Sequence, residues 1–162
     1  MQRSRLLLVL TCVAVVACSQ GMTSREALIE GRTVEERVTT WVRAMNNAKV
    51  DSVVLMYDES ADVHAVWPDG HIAEGFEAVE QRWRDFYTQT NYMNVATSQL
   101  QVEILAPGVA QAVFRHSTDV VDAGGQRAVF PGRALVVLLK DPDDRLWKIH
   151  TQLFSVNRAS EN

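Results

Sequence analysis

The apolar positions of this chain change period along its length: first a solid run, then a helical repeat, then alternation. Residues 6–10 are unbroken apolar and follow Met1-Gln2-Arg3-Ser4-Arg5; the segment continues to Val15-Val16-Ala17-Cys18. A bilayer crossing needs about 20 apolar residues, so this shorter run behind two arginines reads as a secretory signal. From Thr33 the period becomes helical, with Val34, Val38, Trp41, Val42 and Met45 on one face. Thr33-Val34-Glu35-Glu36 has the form of a capping box, and Asn46-Asn47 ends the helix. Asp51 caps a predicted short helix over residues 52–57. Gly75 opens another over residues 76–88, with Phe76, Val79, Trp83, Phe86 and Tyr87 at helical spacing.

Between these helices an extended piece, residues 61–67, stops at Pro68-Asp69-Gly70. After the third helix the chain turns rich in Val, Leu, Phe and Thr over residues 93–106, 109–121, 128–140 and 146–156. The breaks are Pro107-Gly108, Gly124-Gly125 and Asp141-Pro142-Asp143-Asp144. Four long strands with tight turns predict an antiparallel meander, and helices before strands predict an α+β fold with the helices on one face of a bent sheet. Residues 134–139 are apolar at every position, so both faces of that strand call for cover, and a second copy across a two-fold axis is the expected one.

Composition sharpens the first segment. The only cysteines are Cys12 and Cys18, and Cys12 leaves with the signal. A lone thiol in an oxidising compartment asks for a role, and Val-Val-Ala-Cys resembles the bacterial lipobox, in which the cysteine is acylated. The expected organisation is therefore a signal peptide over residues 1–17, a lipidated Cys18 with a flexible tether to residue 32, a domain over 33–158 and a tail over 159–162. The protein is expected to be exported and lipid-anchored in the cell envelope, with Ser19 pointing to the outer rather than the inner membrane. Loss of Arg3 and Arg5 leaves 14 basic against 20 acidic side chains, a net charge of −6 that repels nucleic acid.

The order of elements, with Asn46-Asn47, Met56-Tyr57, Ala61-Asp62-Val63-His64, Gly75-Phe76-Glu77-Ala78-Val79 and Trp147-Lys148-Ile149, resembles the SnoaL-like branch of the nuclear transport factor 2-like superfamily. That resemblance implies a cone, a curved antiparallel sheet wrapped round a long N-terminal helix in the cystatin-like manner, with an apolar pocket between them. It also implies dimerisation through the outer face of the sheet. Superfamily members include isomerases, dehydratases, hydrolases, cyclases and non-catalytic binding or assembly domains, so fold alone does not choose an activity. The expected pocket lining is Trp41, Tyr57, Ala65, Trp67, Trp83, Phe86, Trp147 and Thr151, although aromatics at such spacing also serve as ordinary core.

Compared with ketosteroid isomerase-like sequences, the oxyanion-donating tyrosine falls on Trp41 and the proton-transferring aspartate on Ala65, so neither group survives. A histidine pair that relatives carry in the last strand falls on Thr151 and Leu153. Strand parity, with Trp147 and Ile149 inward, places Thr151 and Leu153 inward as well and turns His150 and Gln152 out; it turns Asp62 and His64 out too. His116 and Asp119 are three apart and point to opposite faces, so His116 is expected to be exposed rather than half of a base. Arg115 and Arg133 remain unassigned. Four scattered histidines without ligand spacing predict neither metal nor cofactor, and Gly124-Gly125 lacks the lysine and helix of a phosphate loop. The expectation is a domain that binds a small, largely apolar molecule, set against an enzyme of the same fold and against a dimeric assembly module.

Overall fold

The computed structural model describes residues 22–157. Its elements are helices α1 (Ser24–Asn46), α2 (Val50–Val54) and α3 (Phe76–Thr88), and strands β1 (His64–Val66), β2 (Ile72–Glu74), β3 (Thr90–Ala106), β4 (Val109–Asp122), β5 (Arg127–Lys140) and β6 (Trp147–Val156). One six-stranded sheet runs in the order β2-β1-β6-β5-β4-β3. The long strands form the expected antiparallel meander, while β1 lies parallel to β6 and antiparallel to β2. Irregular pairing between Ser98 and Gln101, with Gln99 in the left-handed region at φ 55°, bends β3 and curves the sheet.

Helix α1 sits in the concavity with Val34, Val38, Trp41, Val42 and Met45 buried, the face its period predicts. At its C-terminus the Asn46 amide binds β3 on both sides, accepting from Val95 N at 2.7 Å and donating to Val95 O at 3.1 Å. Its start differs from expectation: the helix begins at Ser24, so a tether reaching residue 32 is replaced by helix. The capping box is Thr23 with Glu26, not Thr33 with Glu36, and the Thr33 hydroxyl donates back to Ile29 O instead. These added turns have no apolar stripe. They are held by Glu30, which takes Lys140 Nζ at 2.5 Å and Trp147 Nε1 at 3.1 Å. The Lys140 contact is the main reason the Glu30 carboxyl stays below its ordinary pKa.

Parity in β6 also departs from expectation. Leu138 pairs with Ile149 but Val137 pairs with Thr151, so His150 is an extra residue, a β-bulge that shifts every later side chain by one face. Trp147 and Ile149 are inward as expected, but beyond the bulge Gln152 and Phe154 are buried and Thr151 and Leu153 lie on the outer face. His150 turns to Asp58, its Nδ1 3.1 Å from Oδ2. The signal segment, with the lipidation expected at Cys18, lies outside the described residues.

Candidate functional site

The cone has two parts. At its base Trp41, Tyr57 and Trp147 are fully buried, and none of the three lines the cavity at the mouth. Trp41 meets Tyr57, Trp83 and Phe154 at ring separations of 6.1, 6.4 and 5.8 Å. The Tyr57 hydroxyl accepts from Trp83 Nε1 at 2.9 Å and donates to Gln152 Oε1. Burial pushes the Tyr57 phenol far up, so it stays neutral and works as a fixed dipole. Trp41 Nε1 lies beside the same hydroxyl without meeting hydrogen-bond geometry, and Gln152 Nε2 is unpartnered among the described residues.

The cavity opens at the other part, the mouth, with a volume of about 280 Å³. Helix α3 supplies Trp83 and Phe86, the turn after β1 supplies Trp67, Pro68 and Asp69, and β3 supplies Met93 and Val95. Phe130, Phe154 and Val156 close it from β5 and β6. The rings form a connected wall: Trp67 to Trp83 at 4.5 Å, Trp67 to Phe86 at 5.9 Å, Trp83 to Phe86 at 6.1 Å. At the rim Arg82 lies over the Trp67 ring at 5.2 Å, with a guanidinium nitrogen 2.5 Å from Asp69. Of the residues expected to line the pocket, Trp67, Trp83 and Phe86 do so. Trp41, Tyr57, Ala65 and Trp147 are core, and Thr151 is on the outer face because of the bulge at His150.

His116 lies inside, against the expectation of an exposed side chain. It is 4% exposed, not solvated, and it lines the cavity with Thr118 and Val120 from the inward face of β4. Its ring crosses β5 above Gly132, where a side chain could not fit: a Cβ there would stand 1.8 Å from Ser155 O and 2.7 Å from His116 Nε2. Nε2 reaches the Ser155 carbonyl at 3.2 Å, Nδ1 reaches Thr118 Oγ1 at 2.9 Å, and the ring edge meets Phe154 at 5.0 Å. Burial is the leading cause that lowers the imidazole pKa, so the ring is neutral. A carbonyl can only accept, hence Nε2 carries the proton and Nδ1 accepts from the Thr118 hydroxyl. Asp119 faces away and pairs with Arg127 at 2.5 Å. Asp62, His64, Arg115 and Arg133 are exposed and outside the cavity. The signal for His116 was present in the alternation Ala110, Ala112, Phe114, His116, Thr118, which runs in one phase along β4.

A family model described as SnoaL-like domain matches residues 34–158. No curated protein sequence matches the chain. Among solved structures, a nuclear transport factor 2-like superfamily protein from Salmonella enterica is similar at TM-score 0.73 and 14% identity, covering 82% of this chain and 94% of that one. A protein of cystatin-like fold from Caulobacter vibrioides aligns at TM-score 0.69 and 14% identity, covering 80% and 91%. A Novosphingobium aromaticivorans protein provisionally named as a scytalone dehydratase aligns at 0.72 and 13%, covering 81% and 86%. At these identities the likeness is one of fold.

Proposed function

This chain belongs to the SnoaL-like domain family, and we propose that it is a binding member of it, which holds a small, largely apolar molecule in the cavity at the mouth of its cone. The observation that carries this reading is the wall of Trp67, Trp83, Phe86, Phe130 and Phe154 around an open volume of about 280 Å³. Small-molecule sites usually occupy about 300–1,000 Å³, so the guest is small, of one or two rings rather than steroid-sized. Buried aromatic surface of this kind favours apolar guests through both area and ring contacts.

Catalysis is the second reading, since relatives of the fold include dehydratases and His116 lines the cavity. The geometry disfavours it. Both ring nitrogens of His116 are engaged, so no free lone pair faces the cavity to take a proton, and Ala65 and Trp41 supply neither base nor strong oxyanion donor. The test is native mass spectrometry of the protein purified from its own envelope, followed by calorimetry with the copurified compound. A one- or two-ring compound bound one to one supports the reading. An empty protein that binds no apolar one- or two-ring compound and turns over a substrate instead replaces it with the enzyme reading.

The remaining parts of the proposal concern where the cavity is held. The protein is exported and anchored through acylated Cys18, on the strength of the signal and Val-Val-Ala-Cys exit; Cys18→Ser is expected to release it from the membrane fraction. It works as a dimer through its sheet. On the outer face Ile72, Val66, Leu153, Leu135 and Val113 stand in register across five strands, a continuous apolar row. Arg115 and Arg133 flank one side of it, and Glu74 and Glu103 the other. A two-fold axis along the row sets the basic flank of one copy over the acidic flank of the other. Light scattering at micromolar concentration is expected to give twice the protomer mass, and a monomer would reject the arrangement.

A further inference from the structure

We infer that the Thr118 hydroxyl, held by His116, is the specificity element of the cavity and selects ligands that carry a hydrogen-bond donor, a hydroxyl or N–H, on an otherwise apolar frame. This rests on the binding function proposed above and adds to it the chemistry of the ligand.

Three features of the structure lead there. The hydroxyl proton of Thr118 is committed to His116 Nδ1, because the Ser155 carbonyl fixes the ring proton on Nε2. A hydroxyl whose proton is already donated is left with lone pairs only, so toward the cavity Thr118 acts as an acceptor. On its own wall the neighbours are apolar, Val120, Phe130, Phe154 and Val156, while the other polar groups of the cavity, the Arg82–Asp69 pair and the Trp67 indole N–H, belong to α3 and the turn after β1. In such surroundings a ligand donor that meets the lone pair gains more than it would in water, while an ether or carbonyl placed there meets a second acceptor and loses its hydration for nothing.

The arrangement is built rather than incidental. Gly132, in the middle of a long strand, keeps clear the space through which the imidazole reaches Ser155. Without that glycine the ring could not lie across β5, the Nε2 proton would lose its carbonyl, and the polarity of Thr118 would no longer be set. A valine at 118 would have served equally well for packing alone, being the same shape without the hydroxyl.

The experiment is calorimetry on the purified full chain with 4-propylphenol and its methyl ether, 4-propylanisole. An all-apolar cavity prefers the ether, which has one more methyl and no hydroxyl to desolvate. The inference expects the reverse in the wild type, with the phenol tighter by about five-fold, the size of one net hydrogen bond. Thr118→Val is expected to return the preference to the ether, and Thr118→Ser, which keeps the hydroxyl, to retain the preference for the phenol; circular dichroism checks that each variant is folded. Tighter binding of the ether by the wild type, or a phenol preference that survives Thr118→Val, would overturn the donor selection while leaving the cavity standing. Binding of neither compound would overturn the cavity as a binding site, and the inference with it.

Discussion

The base and the mouth of the cone are built from the same kinds of residue and do opposite things. At the base, Trp41, Tyr57 and Trp147 fill the space between α1 and the sheet and tie it together through Tyr57, Trp83, Gln152 and Glu30. At the mouth, Trp67, Phe86, Phe130 and Phe154 stand around a space they do not fill. The difference lies in what reaches across. Helix α1 lies over the base, whereas beyond Met45 and Asn46 it has ended, and the long β4–β5 hairpin continues past it with only α3 and the β1–β2 turn opposite. Large aromatics therefore do not locate a pocket by themselves; the place where the central helix stops does.

The sharpest way to test the contrast is to truncate one ring in each region. Trp41→Ala, fully buried at the base, is expected to cost about 3–5 kcal/mol of stability, read from the midpoint of chemical denaturation. Phe130→Ala, 40% exposed at the mouth, is expected to cost less than about 1 kcal/mol while weakening ligand binding several-fold. Equal losses of stability would dissolve the distinction. Next in size is Gly132→Ala. Its Cβ would collide with the backbone of β6 at Ser155 and with His116, so an overpacking cost of about 3 kcal/mol, the upper end of the usual range, is expected, together with loss of the phenol preference. A variant as stable as the parent would show that the strand has room the structure does not give it.

The smallest effect is a dependence on pH. His116 has a folded pKa below its ordinary value because it is buried. The unfolded chain therefore binds a proton that the folded chain resists. Its contribution is complete above about pH 6.5 and is lost as pH falls below that value. Melting temperature is expected to decline between pH 7.5 and 5.5, and His116→Phe to flatten that decline. An unchanged slope in the variant would remove His116 as its source.

Much of the fold was legible because it rests on local pattern. The helical period of Val34, Val38, Trp41, Val42 and Met45 and the breaks at Pro107-Gly108 and Gly124-Gly125 predict α1 and the β3–β6 meander closely. What failed was non-local. Helix α1 reaches back to Ser24 because Glu30 finds partners on β5 and β6, more than a hundred residues away. The bulge at His150 exists only in relation to β5, and it alone exchanged Thr151 and Gln152 between faces. The three short residues of β2 gave too brief an alternation to read. For the site, Trp67, Trp83 and Phe86 were readable as aromatics but not as mouth rather than base. His116 was readable from its phase with Phe114; its three-residue separation from Asp119 excludes a dyad but does not decide which of the two faces inward.

The central claim, that the ligand enters the mouth and leaves the base untouched, has a direct reporter in the methionines. Met45 and Met93 line the cavity, while Met56 is buried elsewhere. With ¹³C-methyl-methionine protein titrated with 4-propylphenol, the Met45 and Met93 methyl resonances are expected to shift together with saturation while Met56 stays in place. A titration in which Met56 shifts and Met45 and Met93 do not would contradict the account.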